Sequence, residues 1–387
     1  MEKYFETLIL GAGPAGLSAG IFLKEGAILE KKQEIGKPVQ CGEGLAEEFL
    51  VNMGFQPEKE WVVAEIKECE IFLPEEKKVI LPGKLFILDR EKFEKWLAKK
   101  LKIEIFLEEK AIDVERKSDF WIVKTQRNRV FKCRYLIGAD GPASLVRKKV
   151  FNKDLIYFPC LQYLVEIENE IETDRIKIFF DREKFPFGYS WIFPKGKNLA
   201  NVGVGGKGNL KNSFEWFLKN VVEKNYGKTK LILNKSGVVP TGGANLDHFK
   251  NNCFLIGDAG GMADPIFGGG IGPAILAGKL AAKSILKGNP KIFKENIKKM
   301  PQLKKSLLLA SKIFYSFENQ TLKEGAEVFE KMKIDLFELK KEGIKKELLK
   351  EFLKKKNLRK NWSRFLKLYF IFKEYEKGKS DFSKQIR

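Results

Sequence analysis

The hexapeptide Gly11-Ala12-Gly13-Pro14-Ala15-Gly16 sits between an apolar run, Thr7-Leu8-Ile9-Leu10, and a helical stretch from Leu17 to Lys24. Small residues at this spacing suit the binding of a pyrophosphate. Gly11 permits a tight turn, Gly13 lets the backbone approach the phosphates, and Gly16, beside the small Ala15, lets helix and strand pack closely. The unpaired N–H groups at the helix start then face negative charge. A second apolar strand, Ala27-Ile28-Leu29, ends in Glu30 with Lys31 beside it. A carboxylate there can accept hydrogen bonds from the hydroxyls of an adenosine ribose. Strand, glycine turn, helix and terminal acid thus occur in the order that dinucleotide binding requires.

Two later segments repeat part of this design. Tyr135-Leu136-Ile137-Gly138-Ala139-Asp140-Gly141-Pro142 is an apolar strand running into Gly-Ala-Asp-Gly, followed by a basic helix start at Ser144 to Lys148. Cys253-Phe254-Leu255-Ile256-Gly257-Asp258-Ala259-Gly260 is another. Together with the N-terminal turn they resemble the flavin-monooxygenase and geranylgeranyl-reductase branch of FAD proteins. The resemblance implies that the first of these segments supports the fold near the nucleotide and that Asp258 contacts the flavin side of FAD. Beyond it, Asp264-Pro265-Ile266-Phe267-Gly268-Gly269-Gly270-Ile271 precedes an Ala- and Gly-rich helix reaching Ala282. Gly269, Gly270 and Ile271 can lay backbone against a flat ring, and a helix N-terminus favours negative charge at the reduced flavin. Phe267 departs from the family, which often carries Thr there. By the same resemblance Arg90, in Leu88-Asp89-Arg90-Glu91, reaches the FAD, and Ala111 lies beside the adenine.

Substrate preference is read from two further segments. Phe185-Pro186-Phe187-Gly188-Tyr189-Ser190-Trp191-Ile192-Phe193-Pro194 alternates as a strand, with Asn201 to Gly206 as its hairpin partner, so Tyr189, Trp191 and Phe193 share one face. The Tyr-x-Trp-x-Phe-Pro pattern, and the Pro38-Val39-Gln40-Cys41-Gly42-Glu43 segment after the ribose-binding acid, resemble geranylgeranyl reductases over about the first 290 residues. The resemblance implies reduction of isolated double bonds in a prenyl lipid or prenyl diphosphate, with hydride from reduced flavin N5 and a proton from elsewhere. Cys41 and Tyr189 are the candidates for proton delivery or alkene positioning, and Tyr189, Trp191 and Phe193 for the substrate wall. The electron donor, a nicotinamide nucleotide or a ferredoxin-like protein, is left open, because no second nucleotide fold is visible. A flavin monooxygenase is the alternative enzyme, against which the Cys41 and Tyr189 segments speak. A flavoprotein electron carrier to quinone is the alternative outside catalysis.

These motifs imply an α/β architecture: a Rossmann-like FAD-binding domain with an inserted antiparallel sheet domain and a C-terminal helical region. The expected divisions are 1–66, 85–152 and 236–290 for the first, 67–84 and 153–235 for the sheet, and 291–387 for the helices. Helical patterns are expected at Leu336 to Lys340, Glu347 to Leu353 and Trp362 to Lys373. The chain of 387 residues carries 72 Lys and Arg against 51 Asp and Glu, a net charge of +21. From Lys291 to Arg387 there are 27 basic and 13 acidic residues, so this quarter holds +14 of it. Such a surface suits an anionic membrane; a nucleic-acid module would leave the three nucleotide-type motifs without a role. The five scattered cysteines and the lone His248, read as surface or structural, suggest neither a disulfide framework nor a metal site. The expected location is cytoplasmic, peripheral on the inner face of the membrane, since no apolar run reaches the roughly 20 residues needed to span it.

Overall fold

A computed structural model describes residues 2–332 and 350–386. Its first sheet has the strand order Phe249–Lys250, Cys253–Leu255, Val130–Gly138, Glu2–Leu10, Ala27–Leu29 and Glu104–Phe106. All neighbours are parallel except the first pair. A hairpin, Ala111–Lys117 with Phe120–Thr125, attaches antiparallel to Val130–Gly138. Both faces are buried, and that is why the strands read as continuous apolar runs. Ile9, Ile28 and Ile137 meet the helices Pro14–Phe22 and Ile271–Leu286 on one face, while Leu8, Leu10, Leu29 and Leu136 meet Val114, Trp121 and Phe151 on the other. The first helix stops at Phe22, two residues before its expected end. The chain then turns through Gly26, whose φ of +142° brings it so close to Thr7 O that a Cβ would lie 2.5 Å away.

The second sheet has nine strands, in the order Thr229–Asn234, Ile156–Ile167, Leu199–Gly205, Tyr189–Gly196, Arg175–Phe179, Val62–Leu73, Lys77–Leu88 and Gly44–Ala46, with Gly237–Thr241 also on Ile156–Ile167. It is antiparallel except where Arg175–Phe179 runs parallel to Val62–Leu73 and joins the early hairpin to the later meander. Two strands pass through the divisions expected at 66/67 and 84/85: Val62–Leu73 and Lys77–Leu88 are paired from Val62↔Leu88 to Leu73↔Lys77. Ile192, Val202 and Val204 pack on the helix Leu210–Phe217, and the opposite face, with Ile176, Ile178 and Tyr189, packs against Lys305–Tyr315 and Trp362–Ile386.

The C-terminal region is helical, with Lys291–Lys299, Lys305–Tyr315, Asn319–Met332, Lys356–Lys360 and Trp362–Ile386. The expected helical patterns at Leu336 to Lys340 and Glu347 to Leu349 lie outside the described residues. On Trp362–Ile386, Leu368, Ile371 and Phe382 are buried, while Leu366 and Phe370 are 40% and 58% exposed.

The helices Pro14–Phe22 and Ile271–Leu286 touch backbone to backbone. A Cβ on Gly278 would stand 2.4 Å from Ala15 O and 2.7 Å from Ala19 N, and Ser18 Oγ donates to Ile275 O at 2.5 Å. Gly278→Ala should therefore destabilise the protein by about 2–3 kcal/mol, the scale of overpacking in a close-packed core. Urea unfolding checks it; a change within error would mean that the helices part freely.

Candidate functional site

The N-terminal glycines have distinct roles. Gly11, at φ +102°, would place a Cβ 2.4 Å from Ala139 O, and a Cβ on Gly16 would lie 1.9 Å from Gly11 O, so the fold itself requires both. Gly13 is different: its φ of −80° suits any residue, and none of the described residues comes within 4 Å of a Cβ there. Gly269 faces the same kind of open space. At these two positions the missing side chains leave room for another molecule, which fits a dinucleotide laid across the turn and the later loop. Glu30 stands where the second strand meets the turn; its Oε2 accepts from Ala12 N at 2.6 Å and its Oε1 from Lys32 N at 2.9 Å. Lys31 is exposed beside it, and Ala111 opens the hairpin strand next to Glu109, whose N–H donates to Glu30 O at 2.8 Å.

Asp140 is a helix cap. Its carboxylate accepts from Ser144 Oγ at 2.5 Å and from Leu145 N and Val146 N at 2.6 and 3.2 Å. That helical stretch carries Arg147, which the sequence reading passed over. Arg147 is fully buried and donates to Ala259 O at 3.1 Å, Pro142 O at 2.8 Å and Tyr157 Oη at 2.6 Å, so it ties the two aspartate-bearing turns together. Gly257 would press a Cβ to 2.8 Å from that of Ala15, which sets the second turn against the first helix. Asp258 then lies beside Gly270, with Oδ1 3.5 Å from a Cβ built there. Burial raises its pKa, and the Arg90 guanidinium opposes the rise. Arg90 is held by Glu94 Oε1 at 2.7 Å, one helical turn on. The structure thus sets the Asp258 turn against Ala15 of the first helix and brings Asp258 to Gly270 and Arg90. His248 is buried, with Nε2 3.0 Å from Gly260 O, and burial pushes its pKa down to about 4; its position is structural.

Cys41 is fixed by a buried polar network. Its Sγ accepts from Glu43 N at 3.2 Å and its carbonyl from Gln162 Nε2 at 2.9 Å. Glu43 takes a φ of +71°, a costly conformation for a residue with a side chain. Its carboxylate holds it there, accepting from Arg90 N at 3.0 Å, Asn201 Nδ2 at 2.8 Å and Lys235 Nζ at 2.5 Å, with Lys195 Nζ at 3.1 Å. Burial alone would raise the Glu43 pKa; Lys195 and Lys235 outweigh it and hold the carboxyl below its ordinary range. For Lys195 burial prevails and lowers the pKa. Gln162, Asn201 and Lys235 lie 121 to 192 residues from the groups they bind, and no local pattern marks them.

The expected hairpin forms, with Tyr189↔Gly205, Trp191↔Gly203 and Phe193↔Asn201 in register. The three aromatic rings line one face at centroid spacings of 5.5 and 6.3 Å. Trp191 Nε1 donates to Gln162 Oε1 at 2.8 Å, and the Phe193 ring lies 3.1 Å from a Cβ built on Gly42, so this face and the Cys41 loop are one assembly. Tyr189 Oη donates to Phe267 O at 2.5 Å, beside the glycine loop. Between them is a mainly apolar cavity lined by Phe158, Cys160, Tyr189, Trp191, Asp264 and Tyr315.

Residues 157–239, which include the aromatic hairpin, match the family model of the geranylgeranyl reductase catalytic domain. Over 309 residues the chain is 32% identical to the digeranylgeranylglycerophospholipid reductase of Methanosarcina acetivorans, covering 73% of this chain and 75% of that one. The chain belongs to the geranylgeranyl reductase family. A family relative from Methanocaldococcus jannaschii, of the same name, is 32% identical over 313 residues, 74% of this chain and 78% of its own. Among solved structures, a geranylgeranyl bacteriochlorophyll reductase-like protein from Thermoplasma acidophilum superposes with a TM-score of 0.78 at 25% identity, covering 94% of this chain and all of the other. This reductase is therefore an oxidoreductase of a flavin-dependent family, with the mixed α/β architecture expected of it.

Removing the Glu43 charge leaves two buried lysines unbalanced. Glu43→Gln should cost about 3–5 kcal/mol at neutral pH, as loss of one partner from a buried ion cluster does. Because the folded pKa of Glu43 is depressed, its contribution is present above the unfolded glutamate pKa and lost as pH falls through the folded one. Unfolding curves across the acid range should show a decline in the parent that the variant lacks. Parallel curves would remove Glu43 from this role.

Proposed function

We propose that this protein reduces isolated double bonds in the geranylgeranyl chains of a glycerophospholipid, with FAD as its redox group. One observation carries the reading: Tyr189 and Trp191 of the aromatic face and Gly268 of the glycine loop line the same apolar cavity, and the Tyr189 hydrogen bond to Phe267 O joins the two. Gly11, Gly13, Ala15, Gly16, Glu30, Lys31, Arg90, Ala111, Asp258, Gly269, Gly270 and Ile271 would hold FAD, which supplies a hydride from its reduced N5. The protein's own part is to orient the alkene and exclude water. Trp191 is suited to this because Gln162 locks its indole, and Tyr189 because its hydroxyl is anchored. Cys41, fixed from both sides, completes the positioning. The relatives named for digeranylgeranylglycerophospholipid support this choice of substrate.

The test is anaerobic incubation of chemically reduced protein with digeranylgeranylglycerophospholipid, followed by mass spectrometry. Hydrogen pairs should be added to the lipid, and Trp191→Ala, with FAD content unchanged, should lower the rate by about 100-fold through misplacement of the alkene. Flavin that reoxidises only with oxygen, with the lipid recovered intact, would move the assignment to a monooxygenase.

A lipid substrate calls for contact with its membrane. Among the described residues no helix is long and apolar enough to cross one. Leu366 and Phe370 instead lie one turn apart on the outer side of Trp362–Ile386, with Lys367 and Lys373 exposed nearby, an arrangement suited to lying on the anionic cytoplasmic face. Sedimentation with anionic vesicles should be weakened by salt and by the double change Leu366→Glu, Phe370→Glu. Undiminished binding of that variant would rule this helix out as the contact.

A further inference from the structure

Saturating a C=C bond takes a proton as well as a hydride, and an isolated alkene is so weak a base that the acid's strength matters. Four groups with a titratable proton line the cavity: Cys160, Tyr189, Asp264 and Tyr315. The two phenols are committed to the glycine loop, Tyr189 to Phe267 O at 2.5 Å and Tyr315 to Ile266 O at 2.6 Å. Both are also weakened as acids, first by burial. Burial pushes the Cys160 thiol up to about 12.

Asp264 is built differently. Its Oδ1 accepts from Ile266 N at 2.8 Å and Phe267 N at 2.9 Å, its own N–H donates to Gly269 O at 3.0 Å, and its carbonyl accepts from Gly268 N at 2.9 Å. The carboxyl is therefore locked onto the cavity wall by the same loop that carries Gly269. Among the described residues Oδ2 has no hydrogen-bond partner. One oxygen is held by amides and the other is left to carry a proton. Thr241, on the same cavity, is 1% exposed, and its hydroxyl also lacks a partner among the described residues. Two polar side chains without a full set of partners thus line a mainly apolar cavity.

We propose that Asp264 is the general acid of the reduction, with Thr241 as a second polar contact to what fills the cavity; this rests on the prenyl-reductase reading above. The Oδ2–H bond breaks as a C–H bond forms on one alkene carbon, and the neighbouring carbon receives the hydride. The alkene gains two electrons, the reduced flavin loses them, and the Asp264 carboxylate is reprotonated from water. Burial supports this by raising the Asp264 pKa against the pull of the two amides and of Lys379. The groups facing it are Tyr189 from the sheet, Tyr315 from Lys305–Tyr315, and Tyr375 and Lys379 from Trp362–Ile386.

Asp264→Asn tests this, because an amide oxygen can accept the same two N–H bonds and keep the loop. The infrared difference between parent and variant should show the C=O stretch of a protonated carboxylic acid, a readout that needs no turnover. In single turnover with digeranylgeranylglycerophospholipid, the variant should keep its FAD and lose at least about 100-fold in rate, with Asp264→Glu recovering part. Absence of the protonated-acid band overturns the proposal with the prenyl-reductase reading intact, as does a variant that reacts within about three-fold of the parent. A parent protein that leaves the lipid unchanged overturns both.

Discussion

Everything at the site depends on how closely two helices can approach. Pro14–Phe22 and Ile271–Leu286 begin about 260 residues apart in sequence and come together with only small side chains at the seam, Gly278 lying on the backbone of Ala15 and Ala19. Both helices start in glycine-rich turns, so their approach brings two sets of unpaired N–H groups to one place. Gly257 extends the same economy of volume, for its neighbour is Ala15 again. A methyl group's worth of extra bulk along this seam would separate the phosphate-type turn from the ring-type loop, and the remaining residues would then have nothing to act on together.

The second constraint is electrostatic. Two lysines and one glutamate are removed from water around the Cys41 loop, an arrangement that rarely adds stability over apolar packing. Here it secures a backbone conformation that Glu43 would not choose and ties the Arg90 helix to the strands Tyr189–Gly196 and Leu199–Gly205 of the other sheet. Asn201, Gln162 and Trp191 continue the network from that sheet to the cavity wall. Position, more than strength, is what these polar bonds provide.

Much of this could be read from the chain because some of the signals are local. The turn from Gly11 to Gly16 carries its own geometric demands, and strand alternation is enough to place Tyr189, Trp191 and Phe193 on one face. Periodicity said nothing of which way that face looks, which depends on Ile192, Val202 and Val204 finding Leu210–Phe217 behind them. Domain limits were harder, since Val62–Leu73 and Lys77–Leu88 stay paired through the positions where a boundary was expected, and Pro82-Gly83 inside the second reads as a break that the ladder does not make. Arg147, Gln162 and Lys235 carry no local mark at all; a buried charge or amide in a strand or helix looks like any surface one until its distant partner is known. Asp140 and Asp258 show the same limit from the other side, two similar turns of which one caps a helix and the other faces Arg90.

Those two long strands have a mechanical consequence. They leave the nucleotide-type half at Leu88, hydrogen-bonded along their length, and end deep in the second sheet, where Glu68 to Phe72 pair with Arg175–Phe179. Bending one half against the other would break a ladder instead of flexing a linker. Any widening of the cavity would therefore disturb the ladder least by moving what rests on the sheet, the Phe267 loop and the described C-terminal helices. A bulky, flexible guest would be admitted by parting a cover, with the floor beneath it held still.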